Sequence, residues 1–212
     1  AIRHTDAGQV RIAFDGGFSE YLRVPKGHLQ KVPAGLNPLE CAVLGVPAFT
    51  VAMALERFEE LGLQPGSGLV AVSGAGGAVG LLAIAILSKA GHPVAAITRR
   101  MEHAPVLREL GAAEVIDAAV LAQPQRPLEK ARFAAAIDNV GGPMLSWLLR
   151  SMETGGRVAS VGNAGGNTYE GSVLPFIMRG VQMFGVVANA PWPQRLRLWE
   201  RLAGDLRPDI DR

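Results

Sequence analysis

The chain has one cysteine, Cys41, in 212 residues. A lone thiol excludes a disulfide within the chain and any zinc cluster built from several cysteines. Cys41 lies in an apolar helical segment, where a buried small hydrophobe is the expected role. The four histidines, His4, His28, His92 and His103, are scattered without ligand spacing, so surface or capping positions are expected and no metal site. Net charge is only +2 and no run of Lys and Arg forms a stripe, which argues against a nucleic-acid partner. Apolar stretches are broken by Gly, Lys or His before membrane-spanning length, and the N-terminus lacks a signal-peptide pattern. No membrane partner and a cytoplasmic location are therefore expected. What the chain does have is 49% apolar residues, enough for a substantial core.

The organising stretch is Gly68-Leu-Val-Ala-Val-Ser-Gly-Ala-Gly-Gly-Ala-Val-Gly80. Leu69 to Val72 suits a strand buried on both faces, small residues fill a tight turn, and Leu81 to Ala90 reads as an apolar helix. A strand that turns directly into a helix aims free N–H groups and the positive end of the helix dipole at one point, which suits a pyrophosphate. A literal G-x-G-x-x-G is missing; the best register, Ala75 to Gly80, has alanine in the first glycine's place. Missing too is an acidic residue at the end of the next strand, Pro93 to Thr98, where a ribose 2′-hydroxyl would need one. Thr98-Arg99-Arg100 stands there instead. Two guanidiniums and a hydroxyl suit a 2′-phosphate, so NADP(H) is the expected cofactor, with Glu102 near enough to compete as a ribose ligand.

Before this stretch, the first fifteen residues show little periodicity. Alternation through Phe18, Glu20, Leu22 and Val24 then suggests short strands, the stub of a neighbouring domain. Asn37-Pro-Leu-Glu40 starts a helix that Pro47 should break or kink, and a second helix spans Thr50 to Leu61. Glu59 and Glu60 read as a solvated face. Beyond the arginines come a helix from Ala104 to Leu110 and a third strand, Glu114 to Asp117. Loop and a short helix fill Ala118 to Arg132. A fourth strand spans Ala134 to Val140, a helix Met144 to Met152, and a fifth strand Gly155 to Gly162. A further helix covers Val173 to Arg179, a sixth strand Val181 to Ala188, and a last amphipathic helix Gln194 to Leu206. The tail, Arg207 to Arg212, shows no structure of its own. Six strands alternating with helices predict an α/β fold with a doubly wound, mostly parallel sheet.

Gly16-Gly-Phe-Ser-Glu-Tyr-Leu-Arg-Val-Pro25, Leu44-Gly-Val-Pro-Ala-Phe-Thr50 and Gly74-Ala-Gly-Gly-Ala-Val-Gly80 resemble the medium-chain dehydrogenase/reductase superfamily on its zinc-free quinone oxidoreductase side. Arg126-Pro-Leu-Glu-Lys130, Ala136-Ile-Asp-Asn-Val-Gly141 and Leu174-Pro-Phe-Ile-Met-Arg-Gly180 are similar to the branch that holds acrylyl-coenzyme A reductases. Gly185-Val-Val-Ala-Asn189 departs from that branch's usual Asp-Ser. The resemblance implies a remnant of a GroES-like barrel in residues 1–34, a Rossmann domain in 35–206 and a tail. It implies hydride transfer from NADPH to an activated C=C, in an enoyl thioester such as acrylyl-CoA or in a quinone. Gly76, Gly77, Ala78 and Val79 would line the pyrophosphate and nicotinamide path. Thr98, Arg99 and Arg100 would face the 2′-phosphate. Thr50 would approach the nicotinamide, and Asn139 with the Gly162-Asn163 turn the ribose or carboxamide. No catalytic residue can be named, since the family's tyrosine comes from a barrel segment with no counterpart here. The alternatives are a non-catalytic NADPH-sensing module and a zinc-type alcohol dehydrogenase relative. A short-chain reductase is disfavoured, because neither Tyr21 nor Tyr169 has a lysine four residues on. The sixth strand is a candidate edge for a homodimer.

Overall fold

The computed structural model describes residues 2–4, 10–12, 23, 25–122 and 126–209. Two compact units divide the chain, Ala1–Val32 and Pro33–Arg212. In the first, β1 (Ile2–His4) pairs antiparallel with β2 (Val10–Ile12), Ile2 opposite Ile12. Strands of three residues are too short to carry a readable period, which is why the sequence showed none. The alternation from Phe18 to Val24 lies outside the described residues, apart from Arg23.

The second unit opens on α1 (Pro38–Glu60), and its start follows the capping logic of its sequence. The Asn37 side chain accepts from the Glu40 amide at 2.9 Å, and the Glu40 carboxylate accepts from the Asn37 amide at 2.6 Å. Two helices separated at Pro47 are expected; the structure has one element with a kink. The kink falls at Gly45 (φ 45°, ψ −149°), two residues before the proline, where only glycine takes that conformation without strain. By length and composition α1 could cross a membrane. Here it is a core helix, with Leu44, Ala48, Val51, Ala52, Leu55 and Phe58 fully buried.

The remaining elements are β3 (Val70–Ser73), α2 (Ala78–Lys89), β4 (Val94–Thr98), α3 (Ala104–Glu109) and β5 (Ala112–Asp117). Then follow β6 (Phe133–Asp138), α4 (Gly142–Arg150), β7 (Met152–Ser160), α5 (Leu174–Arg179), β8 (Gln182–Gly185) and α6 (Trp192–Ala203). Strands β3 to β8 form one six-stranded sheet in the order β5-β4-β3-β6-β7-β8. Every pairing in it is parallel.

Successive strand residues point to opposite faces. Val70 and Val72 pack with Val94, Ala96, Ala135 and Ile137 against α1, α2 and α6. The intervening Ala71, Ala95, Ile97 and Ala136 pack against Met144, Leu145 and Leu148 of α4. The central strands therefore show unbroken burial, whereas β8 at the edge is largely exposed and runs only four residues. The sixth strand is thus shorter than its apolar run implies, and no strand pairs on its outer side among the described residues.

Glu59 is not merely a solvated residue: its carboxylate takes both guanidinium nitrogens of Arg201 on α6, at 2.6 and 2.9 Å. Apolar contact still dominates that junction. Leu198 and Leu202 are fully buried and Trp199 stacks on Phe49 at 6.3 Å. Each such leucine contributes about 2 kcal/mol, against roughly 0–1 kcal/mol for a partly exposed ion pair. Three further expectations are corrected. His92 is buried at the turn before β4, with Nδ1 lacking a hydrogen-bond partner. Burial holds its pKa below the usual 6.5, and the charge of Glu59 opposes that shift. Cys41 is half-buried rather than buried. Arg207 is tied back onto the Glu40 carboxylate, so the start of the tail is anchored.

Candidate functional site

In the sheet order, β3 continues outward through β4 and β5, while β6 continues the other way through β7 and β8. The winding of the sheet therefore reverses between β3 and β6, the switch point beyond whose carboxyl-end edge open α/β sheets bind ligands. Four loops meet at this edge: residues 74–77 after β3, 99–103 after β4, 139–141 after β6 and 161–166 after β7.

Side chains at the ends of β3 and β6 lock this edge. The Ser73 hydroxyl donates to Asp138 Oδ1 at 2.5 Å and accepts from the Asn139 amide at 2.9 Å. Asp138 also accepts from the amides of Val140 at 3.1 Å and Gly141 at 2.9 Å. Asp138 is fully buried. Burial pushes its pKa above the usual carboxylate value, and the bonds from Ser73, Val140 and Gly141 oppose that shift. The carboxyl group thus organises the backbone rather than facing a ligand. Asn139 Nδ2 donates to the Ser73 carbonyl at 2.8 Å, which leaves Asn139 Oδ1 buried without a partner.

The turn after β3 is built for close approach. Gly74 takes φ +60°, and the Ala75 amide donates to Ile97 of the neighbouring strand at 3.1 Å. Gly77 caps α2 without any side-chain bond, and the Leu81 amide is the first to reach back to its carbonyl, at 2.9 Å. The amides of Ala78, Val79 and Gly80 therefore have no acceptor within the helix. Gly77 and Ala78 are exposed. A β-carbon on Gly80 would lie 2.4 Å from the Gly74 carbonyl, so α2 presses directly onto the turn. One on Gly77 would meet nothing closer than that carbonyl at 3.4 Å. Open space over unpaired amides at a helix start is what a diphosphate needs. The cradle and the unpartnered Asn139 oxygen both fit a dinucleotide.

The other expected residues distribute as follows. Thr98 is buried, and its Oγ1 accepts from the Arg100 amide at 3.0 Å. Arg99 and Arg100 are exposed, as is Glu102, and neither arginine has an ion-pair partner among the described residues. Gly162 packs against Asn139: a β-carbon there would sit 2.5 Å from its carbonyl oxygen. Asn163 is exposed, with its side-chain amide donating to Asn167. Thr50 is buried in α1 with its hydroxyl donating to Val46 O at 2.8 Å. Sequence reasoning missed the Ser73–Asp138 pair, which the Asp-Asn after an apolar run could have signalled. It also missed His103, whose place beside Gly76 no spacing reveals.

Doubly wound topology, with a glycine turn and unpaired helix-start amides at the switch point, defines a dinucleotide-binding type of fold. The family model described as "Zinc-binding dehydrogenase" matches residues 78–203. The chain belongs to that family, within the medium-chain dehydrogenase/reductase superfamily. It is 40% identical over 203 residues to "Putative quinone oxidoreductase YhfP" of Bacillus subtilis, covering 95% of this chain and 62% of that protein. The crystal structure of YhfP with NAD bound superposes with a TM-score of 0.88 at 41% identity, covering 92% of this chain and 60% of that one. Acrylyl-CoA reductase AcuI of Ruegeria pomeroyi is 41% identical over 196 residues, 92% of this chain and 59% of that protein. The yhdH oxidoreductase of Salmonella enterica, solved in complex with NADP, gives a TM-score of 0.85 at 38% identity over 90% of this chain and 59% of its own. The chain thus spans about three fifths of the length of these relatives. Among the described residues no three His, Cys, Asp or Glu side chains converge. A zinc donor set is therefore not among them.

Proposed function

We propose that this chain is the NADPH-binding part of a zinc-independent oxidoreductase that reduces an activated C=C. The acceptor class is an enoyl thioester such as acrylyl-CoA, or a quinone. The observation that carries the cofactor reading is the cradle of Gly76 to Val79, flanked by two exposed arginines with no ion-pair partner among the described residues, where an NADH site would hold a carboxylate. The acceptor reading is supported by the names of AcuI and YhfP.

When bound, the reduced nicotinamide supplies a hydride to the electron-poor carbon of the acceptor. The chain's residues bind and orient. Amides of Ala78 and Val79 hold the diphosphate, and the guanidiniums of Arg99 and Arg100 select the phosphorylated ribose. The Ser73–Asp138 pair fixes Asn139, whose free carbonyl oxygen accepts a hydrogen bond from the ribose or carboxamide. Thr50, Gly162 and Asn163 belong to the nicotinamide side of this reading. The exposed edge of β8 pairs across a homodimer, which light scattering in solution tests; a monomer at micromolar concentration overturns it.

Fluorescence titration with NADPH and NADH tests the cofactor reading. The double variant Arg99→Ala/Arg100→Ala is expected to weaken NADPH on the order of 10–100-fold and NADH less than about threefold. Equal losses overturn the phosphate clamp. NADPH oxidation by the whole protein, with acrylyl-CoA or a benzoquinone as acceptor, separates the two acceptor classes; turnover with neither favours a sensing module.

A further inference from the structure

Gly76 is a glycine without a backbone reason: its φ is not among the positive values, so any residue could adopt its conformation. The atoms that a side chain there would meet belong to His103. The imidazole Nδ1 lies 3.2 Å from where a β-carbon on Gly76 would stand, and Cε1 lies 3.9 Å from it. The ring is half-exposed and has no hydrogen-bond or ion-pair partner among the described residues. It also belongs to the same short segment as Arg99 and Arg100.

The geometry points to His103 as a third determinant of the phosphorylated cofactor: its imidazole closes the cradle on the adenosine side and donates to the 2′-phosphate. This rests on the NADPH reading above. Few other ionisable groups stand nearby. From Ser73 to Ser88 the turn and α2 carry no ionisable side chain. On its own segment stand Arg99, Arg100 and Glu102, with Arg108 and Glu109 on α3. At the end of the adjacent β5, the Asp117 carboxylate accepts from the Ala119 amide at 2.9 Å.

Binding of NADPH and NADH is measured on the 212-residue chain, with His103→Ala and His103→Arg alongside. Ala is expected to weaken NADPH about fivefold and NADH less than about twofold. Arg is expected to retain NADPH affinity. Equal effects of Ala on the two nucleotides overturn the role of His103 while leaving the arginine clamp standing. Wild type that binds neither nucleotide, or both equally, overturns the NADPH reading and this inference with it.

Discussion

Two glycine-rich regions lie at the same edge of the sheet and do opposite things. After β6 and β7 the space that absent side chains leave is filled by backbone. A β-carbon on Gly141 would lie 2.5 Å from the Gly166 carbonyl, one on Gly142 2.9 Å from that of Gly165, and one on Gly162 2.5 Å from that of Asn139. After β3, Gly80 is likewise pressed against backbone, but Gly77 and Ala78 are exposed, with room above them. Glycine content therefore does not separate a ligand cradle from a packing device. The neighbouring atoms do.

The largest effect is expected where backbone fills the space. Gly141→Ala combines a φ of +69° with the contact to Gly166, so a loss of about 3 kcal/mol or more is expected. Urea unfolding measures it; a loss below about 1 kcal/mol would break the contrast between the two regions. Ser73→Ala removes the hydroxyl that bridges Asp138 and Asn139, at an expected cost of about 1–2 kcal/mol. If Ser73→Ala weakens nucleotide binding without changing stability, the pair shapes the site rather than supporting the sheet.

A smaller effect concerns pH. The folded-state pKa of His92 lies below its unfolded value of 6.5, so the unfolded chain binds the extra proton as pH falls below 6.5. Stability is fully present above that value and declines toward the folded pKa. The melting temperature of His92→Phe, relative to wild type, should therefore rise between pH 7.5 and pH 5; a constant difference would contradict the burial of a neutral imidazole.

The core was legible because β3, β4 and β6 are apolar on both faces, and Val70-Ala-Val72 or Ala134 to Ile137 can be little else. Edges were less so. β8 runs only four residues at the edge of the sheet, and the β1–β2 pair is too short to show a period. In the site, the glycine turn and the arginine pair are contiguous motifs and could be read directly. His103 beside Gly76, Ser73 against Asp138 and Glu59 against Arg201 are contacts between distant segments, which only the packing reveals.

The most direct test of the cradle is NADPH titration of Gly77→Val, with the melting temperature measured alongside. Gly77 has ordinary extended angles (φ −89°, ψ 166°), and its β-carbon would meet only the Gly74 carbonyl, at 3.4 Å. The fold should therefore lose no more than about 1 kcal/mol of capping. Binding of both nucleotides should fall on the order of 100-fold, because the isopropyl group would occupy the space over the helix-start amides. Unchanged binding by a folded variant would contradict the account.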